Sequence, residues 1–225
     1  MIVAAHQPQY LPWLGFFDKI ASSDLFVLLD TVQFKKNEWQ NRNRIKTAHG
    51  WQWLTVPVKY GFGQAIHDIR IDDSQRWGHK HIQSILQNYG RTPYFRRYGP
   101  AMADLLSKDW NSLAELNVTL IKLLCEWLGI KTPFYLASQL GNFTADPDVR
   151  LIEITSSLGA NTYLAGAGGR EYMQMNLFKE AGIEVVFQDY RHPVYKQLYG
   201  EFVSNLSVID LLFNCGPESR QILKG

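Results

Sequence analysis

Cysteine is scarce: Cys125 and Cys215 are the only two in 225 residues, and they have neither CxxC nor any other metal-ligand spacing. A disulfide framework is excluded, and both thiols are expected to be buried and unpaired in a reducing compartment. Long apolar runs are missing as well. The cleanest, residues 25–29, falls far short of the roughly 20 residues that cross a bilayer, so no membrane span is expected. The opening residues carry neither a basic start nor a long apolar core, so a secretory signal is not expected and a cytoplasmic location is. Charge of one sign is also lacking. With 23 basic and 21 acidic side chains the formal charge is +2, which disfavours nucleic acid as a general partner.

What the chain does have is a large reserve of core-forming residues, 46 % hydrophobic and 13 % aromatic. That composition suits one compact α/β domain over residues 1–225. Residues 2–5 read as a buried strand that runs into a polar, proline-containing loop. From Pro12 onward Leu14, Phe17, Ile20 and Ala21 fall at helical spacing. Residues 24–30 are an apolar strand bounded by acids, so the opening is a βαβ unit with parallel strands. Residues 31–72 read as a β-rich insertion with a hairpin turning at His49-Gly50. Residues 74–128 read as a helical segment, its first helix capped by Asp73-Ser74 and its last bearing the stripe Leu113, Leu116, Leu120, Leu124 and Trp127 before Gly129. Strands near 134–136, 162–165 and 183–187 then alternate with helices, and Ser207 caps a final one. This rhythm predicts a three-layer, mostly parallel α/β sheet.

Ligands of such sheets lie beyond the carboxyl ends of the strands, and here those positions are polar. His6, Gln7 and Gln9 follow the first strand, Asp30 and Gln33 the second, and Asp189, Tyr190 and His192 the last. Asp30 beside His6 would orient the imidazole and raise its pKa, making it a general base or phosphate donor; the alternative is a histidine that merely bonds its loop. Residues 33–46 carry five basic side chains against one acid. Lys36, Arg42, Arg44 and Lys46, with Trp39 as a stacking face, suit the phosphate or carboxylate of a small anionic substrate. A solvated hairpin loop fits the same run. Trp39, Trp51 and Trp53 would also stack unpaired bases, which keeps single-stranded RNA open. His79 and His81 point in different directions on a helix, which argues against a shared metal, and His81 lines a pocket or closes the core. Residues 189–197, ending at Gln197, are dense enough in polar groups to close over a ligand. The turn at 163–170 offers glycines before a helix but is no known phosphate loop.

Several of these strings carry a family resemblance. His6-Gln7-Pro8-Gln9-Tyr10-Leu11-Pro12-Trp13-Leu14-Gly15-Phe16-Phe17-Asp18-Lys19-Ile20, Val32-Gln33-Phe34, Asn41-Arg42-Asn43-Arg44-Ile45-Lys46, Trp77 with Lys80-His81, and Leu206-Ser207-Val208-Ile209-Asp210-Leu211-Leu212 closely resemble the WbqC-like family. The resemblance spans nearly the whole chain and implies a role in bacterial O-antigen or other surface-polysaccharide pathways. The first two strands with their loop and helix look, more distantly, like nucleotidylyltransferase-like α/β domains. Those carry an HxGH signature, whereas the comparable positions here are Trp13, Gly15 and Phe16. The combined expectation is a transferase or ligase acting on a nucleotide-linked or otherwise anionic sugar intermediate, with ATP or another activated donor left open. In it His6, Asp30 and His192 are the catalytic candidates. The alternative is a binding module without catalysis.

Overall fold

The structure is a computed structural model and describes residues 1–224. The chain runs β1 (Ile2–His6), α1 (Leu14–Ala21), β2 (Leu25–Leu28), β3 (Arg42–Thr47), β4 (Gly50–Thr55), β5 (Val58–Lys59), β6 (Arg70–Ile71), α2 (Trp77–Tyr89), α3 (Phe95–Leu106) and α4 (Leu113–Trp127). It continues through β7 (Phe134–Leu136), α5 (Ala137–Leu140), α6 (Pro147–Ser157), β8 (Thr162–Ala165), α7 (Met175–Glu180), β9 (Glu184–Phe187), α8 (Val208–Cys215) and α9 (Ser219–Leu223).

Five parallel strands form the central sheet in the order β7-β2-β1-β8-β9. β1 pairs with β2 from Val3↔Leu25 to His6↔Leu28, and with β8 through Val3↔Tyr163. Alternating side chains send Ala4, Phe26, Leu28 and Leu164 to one face, and Val3, Ala5, Val27, Tyr163 and Ala165 to the other. The first face packs with α1 through Leu14, Phe17 and Ile20 and, beyond it, with α4 and α8. The second packs with α6 through Ile154 and α7 through Phe178. Both faces are therefore covered, which is why β1 and β2 are apolar throughout. The connection from β1 leads to β2 on one side, while β8 lies on the other, so the β1/β8 boundary is the switch point where such sheets open a crevice.

The segment after β2 holds two hairpins, β3–β4 and β5–β6. β3 and β4 pair from Arg42↔Thr55 to Thr47↔Gly50, and Gly50 turns the chain at φ +116. The three helices that follow supply much of the core. Ser112 caps α4 by accepting from the Glu115 N–H at 3.3 Å, and Gly129 ends it at φ +64. Two helix starts differ from the sequence reading. α1 begins at Leu14, not Pro12. The Asp73-Ser74 cap belongs to a separate 3₁₀ turn, Asp73–Gln75, which Asp72 caps; Arg76, left-handed at φ 48, then resets the chain before α2. Cys125 is buried and Cys215 half-buried, and neither is bonded to the other.

α2 meets the end of α3 at Gly78, where an added Cβ would fall 2.3 Å from the Leu106 carbonyl oxygen. In an open helix Gly→Ala is stabilising by about 0.5–1 kcal/mol. Against this backbone atom the sign reverses, and Gly78→Ala is expected to cost about 1–3 kcal/mol. Urea denaturation reads this as a lower midpoint at unchanged slope. An unchanged or raised midpoint would mean that the two helices can separate freely.

Candidate functional site

The β1–α1 loop, residues 7–13, leaves the carboxyl end of the central strand and runs almost wholly buried. Buried backbone must find partners, and here distant residues provide them. Asn43 of β3 donates to the Leu11 carbonyl at 2.7 Å. Asn117 of α4 donates to the Pro8 carbonyl at 3.3 Å and to the Gln40 carbonyl at 2.8 Å, so one side chain holds this loop and the 31–41 loop together. The Tyr10 N–H donates to the Trp39 carbonyl at 3.0 Å, and the Val208 N–H to the Pro12 carbonyl at 2.9 Å.

Between the two loops lies a cavity of about 530 Å³ lined by His6, Gln7, Gln9, Trp13, Lys35, Glu38, Trp39, Gln40, Arg44 and Asn205. Hydrogen bonds fix the polarity of its floor. The Lys35 N–H can only donate, so the Gln40 oxygen faces it at 2.9 Å and the Gln40 amide nitrogen donates to Gln7 Oε1 at 2.7 Å. Gln7 is thereby left with its Nε2–H groups as free donors. His6 Nδ1 lies 3.0 Å from the Gln7 carbonyl and must carry the proton, leaving Nε2 as an acceptor. Burial, assisted by the nearby Lys19 ammonium, lowers the His6 pKa to about 4, so the ring is neutral. Gln9 is buried and, among the described residues, its Oε1 has no partner. At the mouth, Arg44 donates to the Asn205 carbonyl at 3.2 Å and, among the described residues, forms no salt bridge; nor does Lys35.

The structure thus brings together His6, Gln7, Gln9, Trp39 and Arg44 and places the other candidates elsewhere. Asp30 does not orient His6. Its buried carboxylate accepts from the Ser138 N–H at 3.0 Å and the Ser138 hydroxyl at 2.6 Å, tying β2 to α5, while a carbonyl holds the imidazole. The His6 pKa accordingly falls, where an orienting carboxylate would have raised it. His192 has both ring nitrogens engaged: Nδ1 with the Pro193 carbonyl at 2.9 Å, and Nε2 accepting from the Asn205 N–H at 3.1 Å. It also stacks on Trp13, with Tyr190 edge-on beside it, so both support the cavity wall and neither reaches into the cavity. Gln33 lines a smaller cavity with Thr31, Asn142 and Arg150. Lys36 lies over Tyr60, and Asp189 is exposed. His81 pairs with the buried Tyr10 hydroxyl at 2.8 Å and belongs to the core. Lys46 is buried, bonding Gln197 Oε1 at 3.2 Å and the Glu201 carbonyl. Gln197 in turn donates to Asp210 at 2.8 Å. Arg42 stacks on Trp53 outside the cavity.

The pattern of the WbqC-like protein family matches residues 7–222, which includes every residue of the cavity except His6. The chain belongs to the WbqC-like protein family. It is also 37 % identical over 227 residues to an uncharacterized protein of Mycobacterium tuberculosis, covering 99 % of this chain and 97 % of that one. No solved structure matches.

In this WbqC-like chain the helix entry lacks the HxGH signature of nucleotidylyltransferase-like domains. Trp13 caps α1 by position and lays its indole where a Gly15 Cβ would stand, 2.2 Å from Cη2, filling the space above the helix end. Trp13, Lys35, Glu38, Gln40 and Asn205 were not among the sequence-derived site residues. Lys35, Glu38 and Gln40 sit within the recognised basic run, and Trp13 within the opening motif. Asn205 gave no signal, because only the fold of residues 189–206 brings it here.

Nitrogen-detected NMR of the histidines tests this electrostatic picture. His6 and His81, both lowered to about 4 chiefly by burial, are expected to stay neutral from pH 8 down to pH 5, with the His6 proton on Nδ1. The unfolded chain takes up these protons first. The stability they contribute is therefore complete above pH 6.5 and is lost as the pH falls towards 4. Asp210, raised to about 6, works in the opposite sense over the lower part of that range. A His6 titration centred near 6.5 would remove the buried, neutral imidazole.

Proposed function

We propose that this WbqC-like protein is a transferase or ligase that modifies a nucleotide-linked or otherwise anionic sugar intermediate of bacterial surface-polysaccharide biosynthesis. The observation that carries this is the polarity of the cavity floor: His6 Nε2 accepts and Gln7 Nε2 donates, with the amide of Gln9 beside them. Sugar hydroxyls both donate and accept and can meet each of these groups, whereas a phosphate oxygen facing the His6 Nε2 acceptor cannot. The neutral, hydroxylated part of the ligand therefore goes deep. Its anionic part stays at the mouth with Lys35 and Arg44, where Glu38, the only acid in the lining, accepts from a hydroxyl or an amine. The indoles of Trp13 and Trp39 give the apolar walls that such a pocket needs.

In this reading His6 takes the proton of the attacking hydroxyl or amine through Nε2, held in the right tautomer by the Gln7 carbonyl. An anion bound at the mouth raises the proton affinity of the imidazole and offsets the effect of burial. The low His6 pKa, about 4, favours a second reading: a module that binds a nucleotide-sugar and uses His6 only as a hydrogen-bond acceptor.

A thermal-shift panel of sugar phosphates and nucleotide-sugars separates these readings, since a ligand of the native state raises its melting temperature. A hit is expected, with Arg44→Ala and Gln9→Leu each weakening it about tenfold or more. With the acceptor present, His6→Ala is expected to slow kcat about 10²–10⁴-fold at little change in KM. Binding without turnover selects the module. A panel in which nothing stabilises the protein removes the sugar reading.

A further inference from the structure

The outer face of the β3–β4 hairpin carries Arg42, Trp51 and Trp53, which the cavity does not use. Its register sets Arg42 beside Thr55, Arg44 beside Trp53 and Lys46 beside Trp51, so these residues share one face. The Arg42 guanidinium carbon stands 4.1 Å from the centre of the Trp53 indole. That of Arg44 lies 5.0 Å from Trp51, 5.7 Å from Trp39 and 5.9 Å from Trp53. Yet Trp51 remains 44 % and Trp53 36 % exposed, a large aromatic surface to leave in water. Among the described residues neither arginine forms a salt bridge, and the Nε–H of each is buried without an acceptor. The indoles occupy the flat faces of the guanidinium groups, so their terminal Nη–H groups, apart from the Arg44 Nη2–H that donates to the Asn205 carbonyl, remain for an anion, and these match phosphate oxygens. Lys46, drawn inward to Gln197 and the Glu201 carbonyl, adds nothing to this face.

We propose that this face is the subsite for a nucleoside diphosphate. The base stacks on Trp51, and the diphosphate lies along the edges of Arg44 and Arg42, which are about 7 Å apart along the strand. Arg44 and Trp39 also line the cavity, so the two regions are continuous. The assignment rests on the sugar reading for its direction: sugar in the cavity, nucleotide on the hairpin. Two observations favour a small ligand over a single-stranded nucleic acid. The planes of Trp51 and Trp53 lie at 83° to each other, which suits one wedged base and not a run of stacked ones. Two free guanidinium groups on a chain of net charge +2 are also few for a polyanion.

The test is isothermal titration of the full chain with UDP, ADP, pyrophosphate and glucose 1-phosphate, and with a short oligouridylate over a range of salt concentrations. UDP or ADP is expected to bind more tightly than pyrophosphate. Trp51→Leu is expected to weaken the nucleotide about tenfold and leave pyrophosphate and glucose 1-phosphate unchanged, and Trp51→Phe to restore the nucleotide. Arg42→Gln is expected to weaken nucleotide and pyrophosphate together. Trp51 is exposed, so its variants should melt with the wild type, which separates loss of binding from loss of fold. No nucleotide binding, or binding indifferent to either Trp51→Leu or Arg42→Gln, overturns the subsite. So does an oligouridylate that binds far more tightly than UDP with a steep salt dependence, which would make the face a single-strand surface. The response of glucose 1-phosphate to Gln9→Leu, a residue that only the cavity uses, reports on the cavity, so the failure of one assignment is visible while the other stands.

Discussion

Residues 7–13 pass through the interior without periodic backbone bonding, and the whole site depends on their being held there. Leu11 sits at φ 44, a left-handed conformation that costs a side-chain-bearing residue about 1–2 kcal/mol. The bonds from Asn43, Asn117 and Val208 offset that cost and supply partners that water cannot reach. Each comes from a different part of the chain: the β3–β4 hairpin, the long helix α4 and the start of α8. The hairpin and helices around the parallel sheet are therefore part of the site, because they fix the loop from which His6, Gln7 and Gln9 project.

Burial divides the electrostatics of this region into two zones. Deep groups are neutral or paired. His6 and His81 lose their protons, the Lys19 pKa falls to about 8 as its ammonium donates to the Ala5 carbonyl, and Asp210 rises to about 6 despite its donors Tyr89, Tyr195 and Gln197. Arg42, Arg44 and Lys35 stand nearer solvent and, among the described residues, form no salt bridge. A ligand that spans both zones is selected by hydrogen-bond direction at one end and by charge at the other, and the two criteria screen different parts of the molecule.

Much of this could be read from the chain because the relevant rules are local. The apolar runs of β1 and β2, the turn at Gly50, the Ser207 cap and the Gly129 stop each follow from a few adjacent residues. The basic run at 33–46 also lies against the cavity, which its Lys35, Trp39 and Arg44 line. What escaped was set over long sequence distances. Asp30 lies beyond its strand as a catalytic carboxylate would, and only the fold reveals Ser138 as its partner. Lys46 reads as one more surface cation, yet it is buried against Gln197. Asn117 falls in the middle of an apolar helical stripe, where nothing in the periodicity marks it as the clamp on two loops. His192 has the right chemistry, but both of its nitrogens are spent on backbone groups of its own strap.

That strap, residues 189–206, has a temporal consequence. Asn205 completes the cavity wall, and the Pro12 loop is closed by Val208, yet both are made after every strand of the sheet. During synthesis the sheet and hairpins can assemble while the crevice still stands open on one side. The cavity is then enclosed only when the last segment lies down across Trp13, so a nascent chain still short of that segment has the floor of the cavity but not its enclosure.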